Sequence, residues 1–217
     1  MKTILSSRTS SGIKAALGGL LALVALGAAQ ADDARGKQLY ANCVACHGDD
    51  AQGMKLLNAP ALSGLSEQYI VNQIKKFKAG HRGGNVKDAT GMQMRPMATL
   101  LVTEEDIGAV AKYIASLPSK PVEATLVGGD PEKGKMLYMT CQACHGPDGK
   151  GNDMLNSPSL INQHDWYTLH QLHKFKEGVR GSNPEDVTGS QMRPMAMTLA
   201  DEQAMKDVIA YIQSLSE

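Results

Sequence analysis

The chain is written twice. Residues 36–119 align without gaps on residues 134–217, at a fixed offset of 98, and about 40 of the 84 aligned positions are identical. Gly36-Lys37 returns as Gly134-Lys135, and Lys76-Phe77-Lys78 as Lys174-Phe175-Lys176. The run Gln93-Met94-Arg95-Pro96-Met97-Ala98 recurs as Gln191-Met192-Arg193-Pro194-Met195-Ala196. Two copies are too few for a solenoid, so each copy is expected to be a domain. The expected boundaries are 32–117 for the first domain and 130–217 for the second. The linker between them, 118–129, is broken by Pro118, Pro121 and Gly128-Gly129. A domain of this size buries a small core and is marginal alone. Aromatic residues make up 4% of the chain, with one Trp and two Phe, so something else has to fill that core.

The pattern within each copy is helical. Asp130-Pro131 sets an N-cap with Pro at the first helical position, opening a helix toward Cys141. Ser66 opens a second stretch, Glu67 to Lys78, closed by Gly80. Thr103-Glu104-Glu105-Asp106 reads as a capping box, followed by Ile107, Val110, Ile114 and Leu117 at helical spacing. In the second copy Asp201 takes the cap, and Met205, Val208, Ile212 and Leu215 form the stripe. The Gly- and Asn-rich stretches Gly80 to Arg95 and Gly178 to Arg193 are expected to be loops. No alternating strand pattern is present, and the expected class is all-α.

Residues 1–31 read as a cleaved signal peptide. Lys2, Arg8 and Lys14 precede an apolar run from Ala15 to Ala29, and Ala29-Gln30-Ala31 has the small-x-small form of a cleavage site. The run falls short of the ~20 residues that span a bilayer. The mature chain is expected to begin near Asp32, in the periplasm, with no transmembrane segment after processing. Free thiols do not persist easily there, so all four Cys need a fate.

Cys43-Val44-Ala45-Cys46-His47 and Cys141-Gln142-Ala143-Cys144-His145 supply it. This is the pattern of c-type haem attachment. Two thiols three apart can each add to one vinyl group of the same porphyrin, and the next residue then offers an imidazole to the iron. A dithiol redox pair needs neither the His nor the doubling. A zinc site lacks a fourth ligand beside either copy. Two covalently bound haem c groups are therefore expected, on Cys43, Cys46, Cys141 and Cys144, with His47 and His145 as axial ligands. A large apolar cofactor also replaces the missing aromatic mass.

Met is the common partner of His in electron-transfer haems, where it raises the potential. Repeat symmetry discards Met92, matched by Ser190, and Met197, matched by Thr99. Met97 and Met195, each following Pro in a stiff Arg-Pro-Met-Ala loop, are the chosen ligands; Met94 and Met192 stand in reserve.

These residues resemble the class I c-type cytochromes, in which Cys-x-x-Cys-His, Pro-x-Leu, a distal Met and a C-terminal helix recur in this order. Here they are Cys43–His47, Pro60-Ala61-Leu62, Met97 and the helix after Thr103, then Cys141–His145, Pro158-Ser159-Leu160, Met195 and the helix after Asp201. The doubled arrangement is similar to the dihaem cytochrome c4 family over essentially the whole mature chain. The resemblance implies two tandem domains, each wrapped around its haem and related by a pseudo-twofold. It also implies that the Pro60 and Pro158 carbonyls accept the axial His Nδ1–H.

Haem propionates need cationic partners, and the repeated Arg82/Arg180 and Arg95/Arg193 are candidates on equal footing with solvated loop arginines. Tyr69 and Tyr167 read as packing residues, and His81, His170 and His173 as surface histidines without repeat equivalents. Trp166, matched by Gln68, is a weak marker of an inter-domain face.

The full sequence has 22 basic and 22 acidic residues, and losing the leader removes three basic residues and no acid. No basic excess exists to bind nucleic acid. Residues 32–117 carry a formal +1 and residues 130–217 a formal −4, an asymmetry suited to different partners at each end. The resemblance implies a periplasmic carrier of single electrons from a quinol-oxidising complex to a terminal oxidase, loosely associated with the membrane surface. The alternative is the dihaem subunit of a dehydrogenase, such as a flavocytochrome sulfide dehydrogenase. A dihaem peroxidase or thiosulfate oxidoreductase would need an open iron, which two intact Met loops argue against.

Overall fold

A helix pair holds each half of the chain together, and one glycine in each pair decides how closely the helices cross. The computed structural model describes residues 34–216; the leader and the expected start at Asp32 lie outside the described residues. The first half contains helices α1 (34–40), α2 (Val44–His47), α3 (Glu67–Ala79), α4 (Ala89–Thr99) and α5 (Glu104–Ser116). The second contains α6 (Pro131–Tyr138), α7 (Gln142–His145), α8 (Asp165–Lys176), α9 (Val187–Met197) and α10 (Glu202–Ser214). Among the described residues the β pairing is confined to isolated bridges, Met54 with Ala59 and Asn152 with Ser157. The molecule is all-α.

Gly36 of α1 lies against α5. A Cβ placed there would sit 2.3 Å from the Ala109 carbonyl oxygen. Gly134 of α6 lies against α10 in the same way, 1.9 Å from the Asp207 oxygen. No side chain fits either crossing, which explains the repeated Gly-Lys. Beside each crossing a buried Tyr packs on the repeated Tyr of the last helix: Tyr40 on Tyr113 at 5.5 Å, Tyr138 on Tyr211 at 5.3 Å. The stripes expected from helical spacing form the two cores. Ile107, Val110 and Ile114 are buried in one; Met205, Val208 and Ile212 in the other.

The caps match the sequence. Ser66 accepts from Tyr69 N–H, Thr103 from Asp106 N–H, Asp201 from Ala204 N–H and Asp130 from Glu132 N–H. Gly80 ends α3 in the left-handed conformation.

The expected loops are present at 80–88 and 178–186, but the rest of each, with the Arg-Pro-Met-Ala loops, is corrected. Residues 89–99 and 187–197 are helices with Pro96 and Pro194 inside them. Pro lacks the N–H for the carbonyl four residues back and normally breaks a helix. Here buried Asp88 and Asp186 hold the N-termini, accepting from Gly91 and Gly189 N–H at 3.1 Å each. Pro stays within a short, firmly capped helix.

The segment between α5 and α6 is a strap tied to both halves. Lys120 pairs with Asp50 at 2.9 Å. Buried Asp165, at the start of α8, accepts from Thr125 N–H, Leu126 N–H and the Thr125 hydroxyl.

Candidate functional site

Each Cys-x-x-Cys-His is a short turn of helix, α2 or α7, presenting its His to an apolar cavity. His47 and His145 are 4% and 5% exposed. Their Nδ1 atoms lie 3.0 Å from the Pro60 carbonyl oxygen and 2.9 Å from that of Pro158. This bond assigns the proton to Nδ1 and leaves Nε2 free to ligate. Burial lowers the pKa of both rings; the Pro carbonyls act in the opposite sense without cancelling it. Both therefore stay neutral, the ligating form. The loop from His to Pro is fixed by backbone bonds, Gly53 N–H to His47 O at 2.8 Å and Gly151 N–H to His145 O at 2.9 Å.

Cys43 and Cys141 are half-buried, and Cys46 and Cys144 are exposed. Burial first, then the neighbouring Cys, pushes Cys43 and Cys141 up to about 11.

The two cavities are one. A cavity of about 290 Å³ is lined by Cys43, His47, Cys141 and His145, and by Met94, Met97, Met192 and Met195. Met92 and Met197 lie outside this lining, whereas Met195, although 37% exposed, is part of it. Both members of each methionine pair reach the cavity, so Met97/Met195 and Met94/Met192 remain the two alternatives.

At the junction stand Arg82 and Arg180, 7% and 5% exposed, stacked on Phe77 and Phe175 at 4.2 and 4.3 Å. Their hydrogen bonds end on neutral oxygens: Arg82 on Gln73 Oε1 and the Tyr167 hydroxyl, Arg180 on Gln171 Oε1 and Gln73 Oε1. The Nε of each is buried without a partner. Two buried guanidiniums facing one apolar cavity call for an anion. A flat apolar group carrying carboxylates, as haem does, fits this lining. Arg95 and Arg193 are exposed instead, lying over Gly80 and Gly178.

Reciprocal ion pairs close the junction. Lys76 of α3 reaches Asp186 at 2.5 Å, and Lys174 of α8 reaches Asp88 at 2.6 Å. Each lysine thus binds the cap of the other half's methionine-bearing helix. Asn72 Nδ2 adds a bond to Asn156 Oδ1 at 2.5 Å. His81, partly exposed, reaches the exposed Glu185 of the other half at 3.1 Å. His173 lies 3.4 Å from Glu202, and His170 is exposed. Tyr69 and Tyr167 line the cavity. Among the described residues no cluster of three or more His, Cys, Asp or Glu could hold a metal ion. Trp166 is buried and stacks on His164 at 5.2 Å.

The lysine–aspartate pairs had a signal in the repeat, since all four residues recur at the offset of 98. Gln163 and His164, which bridge to the first half, have no repeat equivalent and gave no signal.

Comparison with known proteins agrees with this geometry. The family model described as Cytochrome c matches residues 34–118 and again 131–216. Cytochrome c4 of Azotobacter vinelandii is 32% identical over 212 residues, covering 90% of this chain and 94% of that protein. The thiosulfate dehydrogenase electron acceptor of Stutzerimonas stutzeri (strain A1501) is 30% identical, covering 83% and 87%. The crystal structure of reduced recombinant cytochrome c4 from Pseudomonas stutzeri superimposes with a TM-score of 0.66 at 30% identity, over 82% of this chain and 95% of that one.

Proposed function

This chain belongs to the cytochrome c family, in the two-domain form of cytochrome c4, and from that premise we propose that it is a periplasmic carrier of single electrons between respiratory partners. It carries two covalently bound haem c groups. Each haem supplies, when bound, a reversible one-electron couple.

The observation that carries the proposal is the single cavity lined by both Cys-x-x-Cys-His turns. Cys43 and Cys46, and Cys141 and Cys144, anchor the two groups. His47 and His145, oriented by the Pro60 and Pro158 carbonyls, would hold the irons through Nε2. Met97 and Met195, with Met94 and Met192 in reserve, would hold each iron opposite its His and would leave no open position for a substrate. The apolar walls exclude water, and Arg82 and Arg180 offset negative charge at the junction. Helices α3, α4, α8 and α9, locked by the crossed Lys–Asp pairs, keep the two sites in fixed relation, so the second site sees a high effective concentration of the first.

The proposed route runs from a quinol-oxidising complex to a terminal oxidase, after removal of residues 1–31 and with loose association at the membrane surface. Among the described residues no helix is long and apolar enough to cross a membrane. Reduction of the mature protein by such a complex, and its reoxidation by membranes containing a terminal oxidase, tests the route. Failure of both reactions at any ionic strength refutes it.

A second reading is favoured by the similarity to a thiosulfate dehydrogenase electron acceptor. In it the chain takes electrons from a dehydrogenase, as a subunit or a soluble partner. Stable co-purification with a dehydrogenase, and reduction by it with its substrate, would select this reading.

A further inference from the structure

The Pro60 carbonyl that accepts from His47 shares a peptide unit with the Ala61 N–H. That N–H is buried, and it donates across the domain junction to Gln163 Oε1 at 3.0 Å. Gln163 Nε2 donates back to the Ala61 carbonyl at 2.8 Å. The two bonds fix the amide orientation, since a flipped amide would set donor against donor. His164 grips the same loop, its Nε2 lying 2.8 Å from the Gln52 carbonyl oxygen, and its own N–H also ends on Gln163 Oε1 at 3.0 Å. Gln213 Nε2 holds the Gln163 carbonyl at 2.9 Å. The bonds therefore run in series, from Gln163 Oε1 through the Ala61 N–H and the Pro60 carbonyl to His47 Nδ1.

The other half has no such series. Gln163 and His164 are matched in the repeat by Leu65 and Ser66. Among the described residues no protein group bonds the Ser159 N–H, the counterpart of Ala61. A gap bounded by Leu65, Ser66, Gly151 and Ser159 lies there instead.

We propose that Gln163 is a positioning residue for the N-terminal haem, acting from the C-terminal domain through the Pro60–Ala61 peptide on His47. The proposal rests on the reading of His47 as an axial ligand. A peptide whose N–H is hydrogen-bonded carries a more negative carbonyl oxygen. That oxygen draws more strongly on the His47 Nδ1–H, making the imidazole a stronger donor and favouring the oxidised iron. The C-terminal domain thus holds down the reduction potential of the N-terminal haem. The C-terminal haem receives no matching pull.

The test uses the mature dihaem protein as wild type, Gln163→Leu and Asn72→Ala. The last removes a different cross-domain bond, Asn72 to Asn156, and leaves the series intact. The potential of each haem is measured by redox titration followed by NMR, together with the ring N–H signal of each axial His. In Gln163→Leu the N-terminal potential should rise, with a severalfold change in its reduction equilibrium, and the His47 N–H signal should shift. The C-terminal haem should not move, and Asn72→Ala should move neither. An unchanged N-terminal haem, an equal shift in both haems, or an equal effect of Asn72→Ala overturns the proposal. If Gln163→Leu fails to retain two haems per chain, Gln163→Met is read by the same criteria. Absence of an axial His N–H signal for the N-terminal haem in the wild type would overturn the ligand reading itself, a result distinct from a silent Gln163 variant.

Discussion

The two halves share the residues that seat the Cys-x-x-Cys-His turns and lock the junction, and they differ where one half reaches into the other or holds the strap. Gly36 and Gly134, Tyr40 and Tyr138, His47 and His145, Pro60 and Pro158, Lys76 and Lys174, Arg82 and Arg180, Asp88 and Asp186 play matching parts. The departures are one-sided. Asp165 holds the strap on the C-terminal half, where the other half has exposed Glu67. Gln163 and His164 reach across where Leu65 and Ser66 do not. The shared set is what each half needs to hold its haem and to meet its twin. The unshared set makes two equivalent sites unequal.

Removing one haem attachment should make the two halves most unlike. Cys43→Ala with Cys46→Ala should give a chain with one haem, and the N-terminal half should lose its fold along with its core filler. Haem content by visible absorbance, protein mass and helical circular dichroism check this. The mirror substitution at Cys141 and Cys144 should do the same to the other half.

Next in size are the axial methionines. Met97→Ala should open one iron, lower that haem's potential and let carbon monoxide bind to one haem of two; Met195→Ala should do so at the other. If Met94→Ala and Met192→Ala have these effects instead, the reserve pair holds the iron.

Third are the crossed ion pairs. Lys174→Met leaves buried Asp88 without its cation, and Lys76→Met does the same to Asp186. Losing one partner of a buried pair costs about 3 kcal/mol. Both variants should lower the urea midpoint, Lys76→Met the more, since Asp88 keeps the Gly83 N–H on Oδ2 whereas Asp186 Oδ2 has no partner. Acid sharpens this test. Burial raises the Asp88 pKa, but the Lys174 bond and charge and the N–H groups of Gly91 and Gly83 outweigh it and hold the carboxyl below its usual range. A carboxylate depressed on folding contributes its full stability above the unfolded pKa of about 3.9 and loses it as pH falls through the lower folded value. Stability from this pair should thus be flat above about pH 5 and fall below about pH 4. In Lys174→Met the acid loss should shrink.

The smallest effect tests the asymmetric strap. Asp165→Ala should cost about 1–2 kcal/mol by orphaning the Thr125 and Leu126 N–H groups. Glu67→Ala, at the equivalent exposed position, should change the urea midpoint little.

Most of the haem-facing set was legible in the sequence because the chain states it twice. A repeated Cys-x-x-Cys-His has few physical uses, and a repeated glycine or aspartate has to serve the same contact in both halves. Caps at Ser66, Thr103 and Asp201 were readable from local chemistry. Helices α4 and α9 were not, because Gly, Asn and Pro outweighed the caps Asp88 and Asp186 in a local reading. Gln163 and His164 were invisible for the opposite reason: they serve one half only, through contacts more than a hundred residues distant in sequence. The repeat could show what the halves share; only the folded chain shows how they differ.

A carrier of single electrons needs both irons closed by His and Met. The most direct test is a redox titration of the purified mature protein followed by visible spectroscopy, repeated under carbon monoxide. Two low-spin haems that titrate at positive potentials and ignore the gas are the predicted result. A high-spin haem, a haem that binds carbon monoxide, or one that titrates far below the other would contradict it.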